Sequence, residues 1–408
     1  MRKAVKTRDV YHIKRASKSN VTNYKARLVA QGFKHVPGRD SDETWSPVPG
    51  SATTRALFAV AASKDWEVHH VDVRTAFSNS KMDKKMYTKL PDGSELGEAD
   101  EVFRLNLALY GTKQAGRLWG IKLDKELKAM GAVRSKVDPC LHTWSHPVHG
   151  LFDILVYVED LIVAGKSLDG VQAVKNSVSV TFDVRDVGEV KDFIGMKQMR
   201  DRAAKLHTLS NPGHVIVLLE AIGMSSSTPN KTPMVSGAKL AKTAENLLPD
   251  GIHYAELVGS LLYLSTTTRP DIAFSVAVLS LYMACPEEDH MRAVNGVLRY
   301  LRGATRLGVA YGDDKPLQGA PRRTKHVDVA YHMVRECVAR GDVTSYFLPS
   351  AEMPADGLTK MLPGPAFRAF RDAPSVGRDL GMAAAALEPD PACSGTSSHS
   401  PALGRYRA

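Results

Sequence analysis

The segment from Phe152 to Gly165 (FDILVYVEDLIVAG) constrains the fold more than any other. Its two halves are short, β-branched and aromatic, which predicts two strands of a hairpin with Glu159 and Asp160 at the tip. Two-residue hairpin turns favour Asn-Gly or Asp-Gly, and adjacent carboxylates repel, so Glu-Asp is a poor turn chosen for another reason. Local rules broken in this way are expected at functional sites, here by a cation that bridges the two acids. Taken alone, Tyr157-Val158-Glu159-Asp160 also reads as a plain solvated turn. The rest of the chain must supply what a metal-binding hairpin needs.

The chain has 408 residues, of which 43% are hydrophobic and 24% charged, enough for two or three soluble globular domains. No apolar run approaches the roughly 20 residues of a membrane span, and Met1-Arg2-Lys3 leads into no apolar signal core, so an intracellular protein without a membrane partner is expected. Cys140, Cys285, Cys337 and Cys393 are scattered and read as reduced thiols rather than a disulfide or zinc framework. Charge is uneven. Residues 1–39 hold eleven Lys and Arg against the single acid Asp9, which equals the whole formal charge of +10. A basic arm ahead of a neutral body suggests a phosphate-bearing partner, or a solubilising or localisation segment.

Ser51–Ala62 reads as a helix opened by Ser and Thr caps, with Leu57, Val60 and Ala61 on one face. The alternating stretch from Trp66 to Val73 reads as a strand that ends near Asp72. Trp119, Leu123, Leu127 and Met130 mark an amphipathic helix stopped by Gly131, and Ser167 caps another that bears Val171, Val174 and Val178. Residues 182–199 are strand-rich, with Gly188 and Gly195 as turn points. Residues 226–252, rich in Ser, Thr, Pro and Lys, read as a linker before three helical segments at 254–267, 271–284 and 287–302. The Ala/Pro/Ser-rich end is expected to be disordered.

Asp72 and the Glu159-Asp160 pair would bring carboxylates from separate strands together. Two Mg²⁺ ions, held by oxygen ligands roughly 4 Å apart, need such a set when one activates an attacking hydroxyl and the other steadies a leaving phosphate. A site of this kind transfers nucleotides, and the basic arm would neutralise phosphate charge.

Here the chain resembles a known family. The blocks YKARLVAQGF (24–33), ETWSPV (43–48), VDVRTAF (71–77), LYGTKQAGRLW (109–119), DPCL (138–141), YVED (157–160), FDVRDVGEVKDFIGM (182–196), LVGSLLYLSTTTRPDIAF (257–274) and LRYLRG (298–303) stand in that family's order. They resemble the reverse transcriptase region of a copia-type long-terminal-repeat retrotransposon polyprotein. The resemblance implies an α+β, right-hand-like fold with fingers, palm and a helical thumb or connection region. Its expected divisions are a basic segment at 1–22, fingers and palm at 23–225, a linker at 226–253, the thumb region at 254–312, a truncated RNase H-like remnant at 313–375 and a tail at 376–408. The implied reaction is RNA-directed addition of deoxynucleoside triphosphates to a DNA primer, with two Mg²⁺ ions or Mn²⁺ in their place.

By the same resemblance, Asp72 is the first metal-binding aspartate, and Glu159 and Asp160 take the paired-aspartate positions. Lys25 and Arg27 match finger residues that grip the triphosphate; as residues alone they are also ordinary exposed strand charges. Phe77 matches the aromatic that leaves no room for a 2′-hydroxyl, although core packing reads equally from its position. Lys113, Gln114 and Arg117 match the nucleotide and template path, where residue type alone gives only the polar start of a helix.

Four departures stand out. Glu159 replaces an aspartate, and the extra methylene pushes its carboxylate out by about 1 Å, a displacement that can cost roughly a hundredfold in rate. Gly116 stands where the family has proline, loosening that turn. The chain begins inside the family's polymerase region, so some finger structure is expected to be missing, along with the protease and integrase regions. The RNase H region is expected to be reduced to TKHVDVAYHMVRE and ADGLTKML, with Asp356 its last acidic position. One carboxylate cannot hold two metals, and the orphaned piece is expected to fold poorly or to dock elsewhere. A non-catalytic nucleic-acid-binding remnant of a decayed element is the alternative reading.

Overall fold

A computed structural model describes residues 4–15, 21–91, 93–94, 101–204, 206–235, 237–238, 240–243, 245–312, 358, 360–372 and 378–379. The chain divides into two compact units, with the boundary between Val190 and Lys191.

The first unit contains two sheets. In one, β1 (Val5–Arg15) pairs antiparallel with β2 (Val21–Ala30) and parallel with β4 (Lys81–Lys89), and β5 (Phe103–Leu107) completes the order β2-β1-β4-β5. The other is antiparallel throughout. It contains β3 (Glu67–Val73), β6 (Val133–Arg134), β7 (Leu141–His146), β8 (Gly150–Tyr157), β9 (Asp160–Gly165) and β10 (Val184–Glu189), in the order β10-β3-β9-β8-β7-β6.

Helices α2 (Ala115–Ala129) and α3 (Leu168–Thr181) cover one face of this second sheet. Trp119, Leu123 and Leu127 from α2 and Val171, Val174 and Val178 from α3 bury against Val71, Val73, Ile154, Leu161 and Val163. Side chains alternate along a strand, so with Val71 and Val73 facing the helices, His70 and Asp72 face the other way. Gly131 (φ +97°) follows the end of α2 as the sequence predicts, and Ser167 Oγ accepts from Gly170 N at 3.2 Å as the cap of α3.

Helix α1 (Ser51–Ser63) forms where expected, but no side chain of its own caps it. Asp138 of the DPCL block does so from a distance, its Oδ2 accepting from Gly50 N at 3.0 Å and Thr53 Oγ1 at 2.5 Å.

The end of β2 meets the turn around Gly111 backbone to backbone: Ala30 N donates to Tyr110 O at 2.8 Å, and a Cβ on Gly111 (φ +84°) would strike the Ala30 carbonyl oxygen. Gly111→Ala is therefore expected to cost about 2 kcal/mol. Urea unfolding followed by tryptophan fluorescence checks this, because Trp45, Trp66, Trp119 and Trp144 all lie in the first unit. A loss below ~0.5 kcal/mol would mean that the close approach is not required.

In the second unit, β11 (Asp192–Phe193), β12 (Met196–Asp201), β13 (Leu206–Ser210), β14 (Leu307–Gly312) and β15 (Arg378–Asp379) form a five-stranded sheet in that order. Helices α4 (Pro212–Ala221), α5 (Gly251–Thr267), α6 (Ala273–Ser280), α7 (Glu288–Gly303) and α8 (Gly364–Arg371) surround one apolar core. Between Ile222 and Asp250 the described residues form no helix or strand, yet the segment is docked: Met234 is buried, and Tyr282 OH donates to Leu240 O at 2.8 Å.

Of the expected RNase H-like remnant, residues 313–357 (Asp356 among them) lie outside the described residues. The stretch that follows them docks through α8, whose Phe367 and Phe370 enter the core beside Tyr300. Most of the expected disordered tail also lies outside the described residues, but Arg378 and Asp379 pair with β14. Among the described residues, no helix is long and apolar enough to cross a membrane.

Candidate functional site

The acidic hairpin turns one residue earlier than the sequence predicts. Tyr157 pairs with Asp160, so Val158 and Glu159 form the turn and Asp160 is the first residue of β9. Val158 has φ +52°, a rare conformation for a β-branched residue. Two bonds hold this strained tip. Trp119 Nε1 donates to Val158 O at 2.6 Å from the core of α2, and Val73 N donates to Glu159 O at 2.8 Å. Backbone strain held in place by its surroundings is a feature of functional sites.

Asp72 on β3 is the direct cross-strand partner of Asp160 on β9, so the two carboxylates share one face of the sheet. Each is engaged by a cationic or hydrogen-bonding neighbour that the sequence did not reveal. Arg185 Nη2 lies 2.9 Å from Asp72 Oδ2, and His70 Nε2 lies 2.7 Å from Asp160 Oδ1.

Arg185 owes its place to a bulge in β10 between Asp186 and Gly188. Asp186 Oδ1 fastens that bulge by accepting from Gly188 N at 2.8 Å and from the buried Lys175 Nζ at 2.7 Å. Lys175 Nζ also lies 2.8 Å from His69 Nδ1. Burial first, and then the Lys175 charge, holds His69 below the usual histidine pKa, so that its ring is a neutral acceptor.

As a donor set, Asp72, Glu159 and Asp160 fit a hard divalent cation in ligand type and in strand placement. They are not gathered around one point. Among the described residues, no group of three or more His, Cys, Asp or Glu side chains is arranged to hold a metal ion. Arg185 and His70 draw two of the three carboxylates into pairs of their own.

Phe77 sits in a short 3-10 turn, Ala76–Asn79, that follows β3 and begins after Thr75 at φ +48°. Its ring meets Tyr110, with centroids 4.7 Å apart and planes at 53°. Arg27, on the same face of β2 as Lys25, places its guanidinium carbon 5.3 Å from the centre of the Tyr110 ring. Burial raises the Tyr110 phenol pKa above its usual value, and the charges of Glu159 and Asp72 add to this while Arg27 opposes it. One tyrosine thus meets both Arg27 and the ring of Phe77 and feels the charges of Glu159 and Asp72.

Lys113, Gln114 and Arg117 all engage one loop, residues 35–43. Lys113 Nζ reaches His35 O at 3.5 Å, Gln114 Nε2 donates to Asp40 O at 3.0 Å, and Arg117 Nη2 lies 2.7 Å from Glu43 Oε2. Gln114 is fully buried and lines no open groove. The resemblance implies that these residues line the nucleotide and template path, and in the structure their side chains bind the loop at 35–43. Arg185, His70 and Tyr110 were missed. The first and last lie inside quoted blocks, but only strand register and ring contacts assign them a place.

The family model described as reverse transcriptase (RNA-dependent DNA polymerase) matches residues 1–236. The retrovirus-related Pol polyprotein from transposon TNT 1-94 of Nicotiana tabacum is 34% identical over 78% of this chain and 24% of its own length. That from transposon RE2 of Arabidopsis thaliana is 35% identical over 72% of this chain and 20% of its own. This chain therefore spans a quarter or less of those polyproteins. A putative transposon Ty5-1 protein of Saccharomyces cerevisiae is 32% identical over 57% of this chain and 75% of its own length. The solved prototype foamy virus protease–reverse transcriptase is 12% identical with a TM-score of 0.26, covering 91% of this chain and 49% of its own, a likeness too loose to transfer any residue. The chain belongs to the reverse transcriptase (RNA-dependent DNA polymerase) family, among the Pol sequences of copia-type transposons.

Proposed function

We propose that this chain is an RNA-directed DNA polymerase that extends a DNA primer along an RNA template with deoxynucleoside triphosphates, at a rate lowered by Glu159. The observation that carries the reading is the cross-strand pairing of Asp72 with Asp160 beside the strained, doubly anchored turn that bears Glu159.

Asp72, Glu159 and Asp160 would hold two Mg²⁺ ions, or Mn²⁺ in their place, which when bound supply charge stabilisation for the attacking hydroxyl and the leaving phosphate. The chain's own residues do the rest. Lys25 and Arg27 bind the triphosphate. Phe77 excludes a 2′-hydroxyl from the sugar position. Lys113, Gln114 and Arg117 fix the loop at 35–43 along the nucleotide and template path. Arg185 and His70 hold the carboxylates of Asp72 and Asp160 and must yield them for metals to enter. The basic residues of 1–39 oppose template and triphosphate phosphates. Residues 23–225 serve as fingers and palm, and 254–312 as the helical thumb or connection region. The site of action is inside the cell, in a retrotransposon particle or the nucleus.

A second reading, a nucleic-acid-binding remnant without turnover, is favoured by Glu159 and by the pairing of both aspartates with neighbouring residues.

Primer extension on an RNA template, with Mg²⁺ or Mn²⁺, tests the choice. Slow, metal-dependent incorporation of deoxynucleotides with the template strand left uncut is the expected result. No incorporation with either ion, together with salt-sensitive binding of the RNA–DNA hybrid, would reject the polymerase in favour of the remnant.

A further inference from the structure

The turn that carries Phe77 fixes its backbone but not its ring. Asn79 Nδ2 donates to the carbonyls of Arg74, Thr75 and Ala76 at 3.4, 3.2 and 3.4 Å, which holds the turn in shape. A half-buried aromatic on such a turn keeps its rotamer only if something backs it. Phe77 packs at the edge of the core beneath the second sheet, and the aromatic ring that meets its own is Tyr110, in a tilted contact at 4.7 Å. Tyr110 is anchored in turn on two sides. Its carbonyl accepts from Ala30 N at the end of β2, and the Arg27 guanidinium of the same strand lies over its ring at 5.3 Å.

We propose that Tyr110 is the positioning residue of the sugar pocket, bracing the Phe77 ring and seating Arg27 so that sugar selection and the triphosphate grip act as one unit. This rests on the polymerase reading above. Without the Tyr110 ring, Phe77 gains rotamers that open space for a ribose 2′-hydroxyl. Arg27 loses the aromatic face that orients it. The first effect concerns the sugar alone and the second concerns any triphosphate, so the preference for deoxyribose and the overall affinity separate as readouts. The ring contact with Phe77 needs no hydroxyl, whereas the hydroxyl hydrogen-bonds Arg27, so phenylalanine in place of Tyr110 is expected to keep the preference for deoxyribose while weakening both nucleotides alike.

The test uses the full chain bound to an RNA template annealed to a DNA primer that ends in a dideoxynucleotide, so that no bond can form. Equilibrium binding of dGTP and of GTP is measured opposite a templating cytosine. Wild type is expected to prefer dGTP, and Tyr110→Ala to lower that preference about tenfold, the size of one aromatic pair contact. Tyr110→Phe is expected to keep it. Phe77→Ala is expected to lower it as Tyr110→Ala does, with little further loss in the double variant, since both remove one device. Tyr110→Leu, which retains bulk without a flat face, repeats the measurement if near-ultraviolet circular dichroism shows that the alanine variant is unfolded. In Tyr110→Ala, equal weakening of dGTP and GTP, with the preference unchanged, overturns the inference and leaves the polymerase reading intact. A wild-type chain that binds the hybrid but neither nucleotide overturns both.

Discussion

Glu159→Asp is expected to raise the single-turnover rate of nucleotide incorporation about a hundredfold, the scale of a 1 Å correction in a reacting constellation. The expectation rests on how little the turn can yield. The carbonyl of Val158 accepts the indole N–H of Trp119, a side chain 1% exposed in the core under the sheet. The carbonyl of Glu159 accepts the amide of Val73, the residue after Asp72. A backbone latched to the core on one side and to β3 on the other cannot retreat to absorb a methylene, so the side chain must carry the whole error. Shortening it removes the error without loss of charge. Asp72→Asn in the same background should return the rate to the level without enzyme, which ties the gain to this site. A folded Glu159→Asp chain that gains nothing would place the defect elsewhere, with the Arg185–Asp72 pair the first suspect.

The acidic pair was legible in the sequence because it breaks a local rule, and such breaches show without a structure. Its register was not. The sequence predicts a turn at Glu159-Asp160, but Asp160 pairs across the strand with Asp72, and the turn falls on Val158, the residue type least suited to positive φ. The helices α1, α2 and α3 were legible from their apolar spacing, which burial alone dictates. The cap on α1 was not, since it comes from Asp138 rather than from a neighbour.

Gln114 shows a second limit. A polar residue at a helix start reads as surface or path lining, yet here the side chain is buried and its amide serves the backbone carbonyl of Asp40. Arg185 and Tyr110 show a third, since their meaning lies in contacts with residues far away in sequence, and no periodicity encodes those. The docking of α8 follows the same logic. Phe367 and Phe370 stand three apart, a helical spacing, but only the core of the second unit gives that face a partner.

Asp271→Ala is expected to destabilise the second unit by about 3–5 kcal/mol, because it strands a buried positive charge. The side chains of Arg269 and Asp271 are each 1% exposed. Arg269 Nε and Nη2 donate to the two oxygens of Asp271 at 2.9 and 2.7 Å, and Nη1 donates to Ala304 O at 2.8 Å. Tyr300 OH donates to Asp271 Oδ2 at 2.6 Å, and burial, followed by the Asp271 charge, drives the phenol pKa far up. One carboxylate therefore satisfies a guanidinium and a phenol at once. Tyr300 in turn packs edge-on against Phe367, which links the network to the docking of α8. Removing the carboxylate takes the acceptor from Arg269 Nε and Nη2 and from the Tyr300 hydroxyl in the core, and at a urea slope of ~1–3 kcal/mol per molar the midpoint should fall by at least about 1 M. Circular dichroism at the helical band follows both units, with α4 to α8 in the second and α1 to α3 in the first, whereas the four tryptophans report on the first alone. The two signals should therefore part company in the variant. Replacing the pair together, Arg269→Met with Asp271→Leu, is expected to cost less than Asp271→Ala alone, since no charge is left behind. If the double variant is the less stable of the two, the pair contributes through its attraction rather than through the penalty for breaking it.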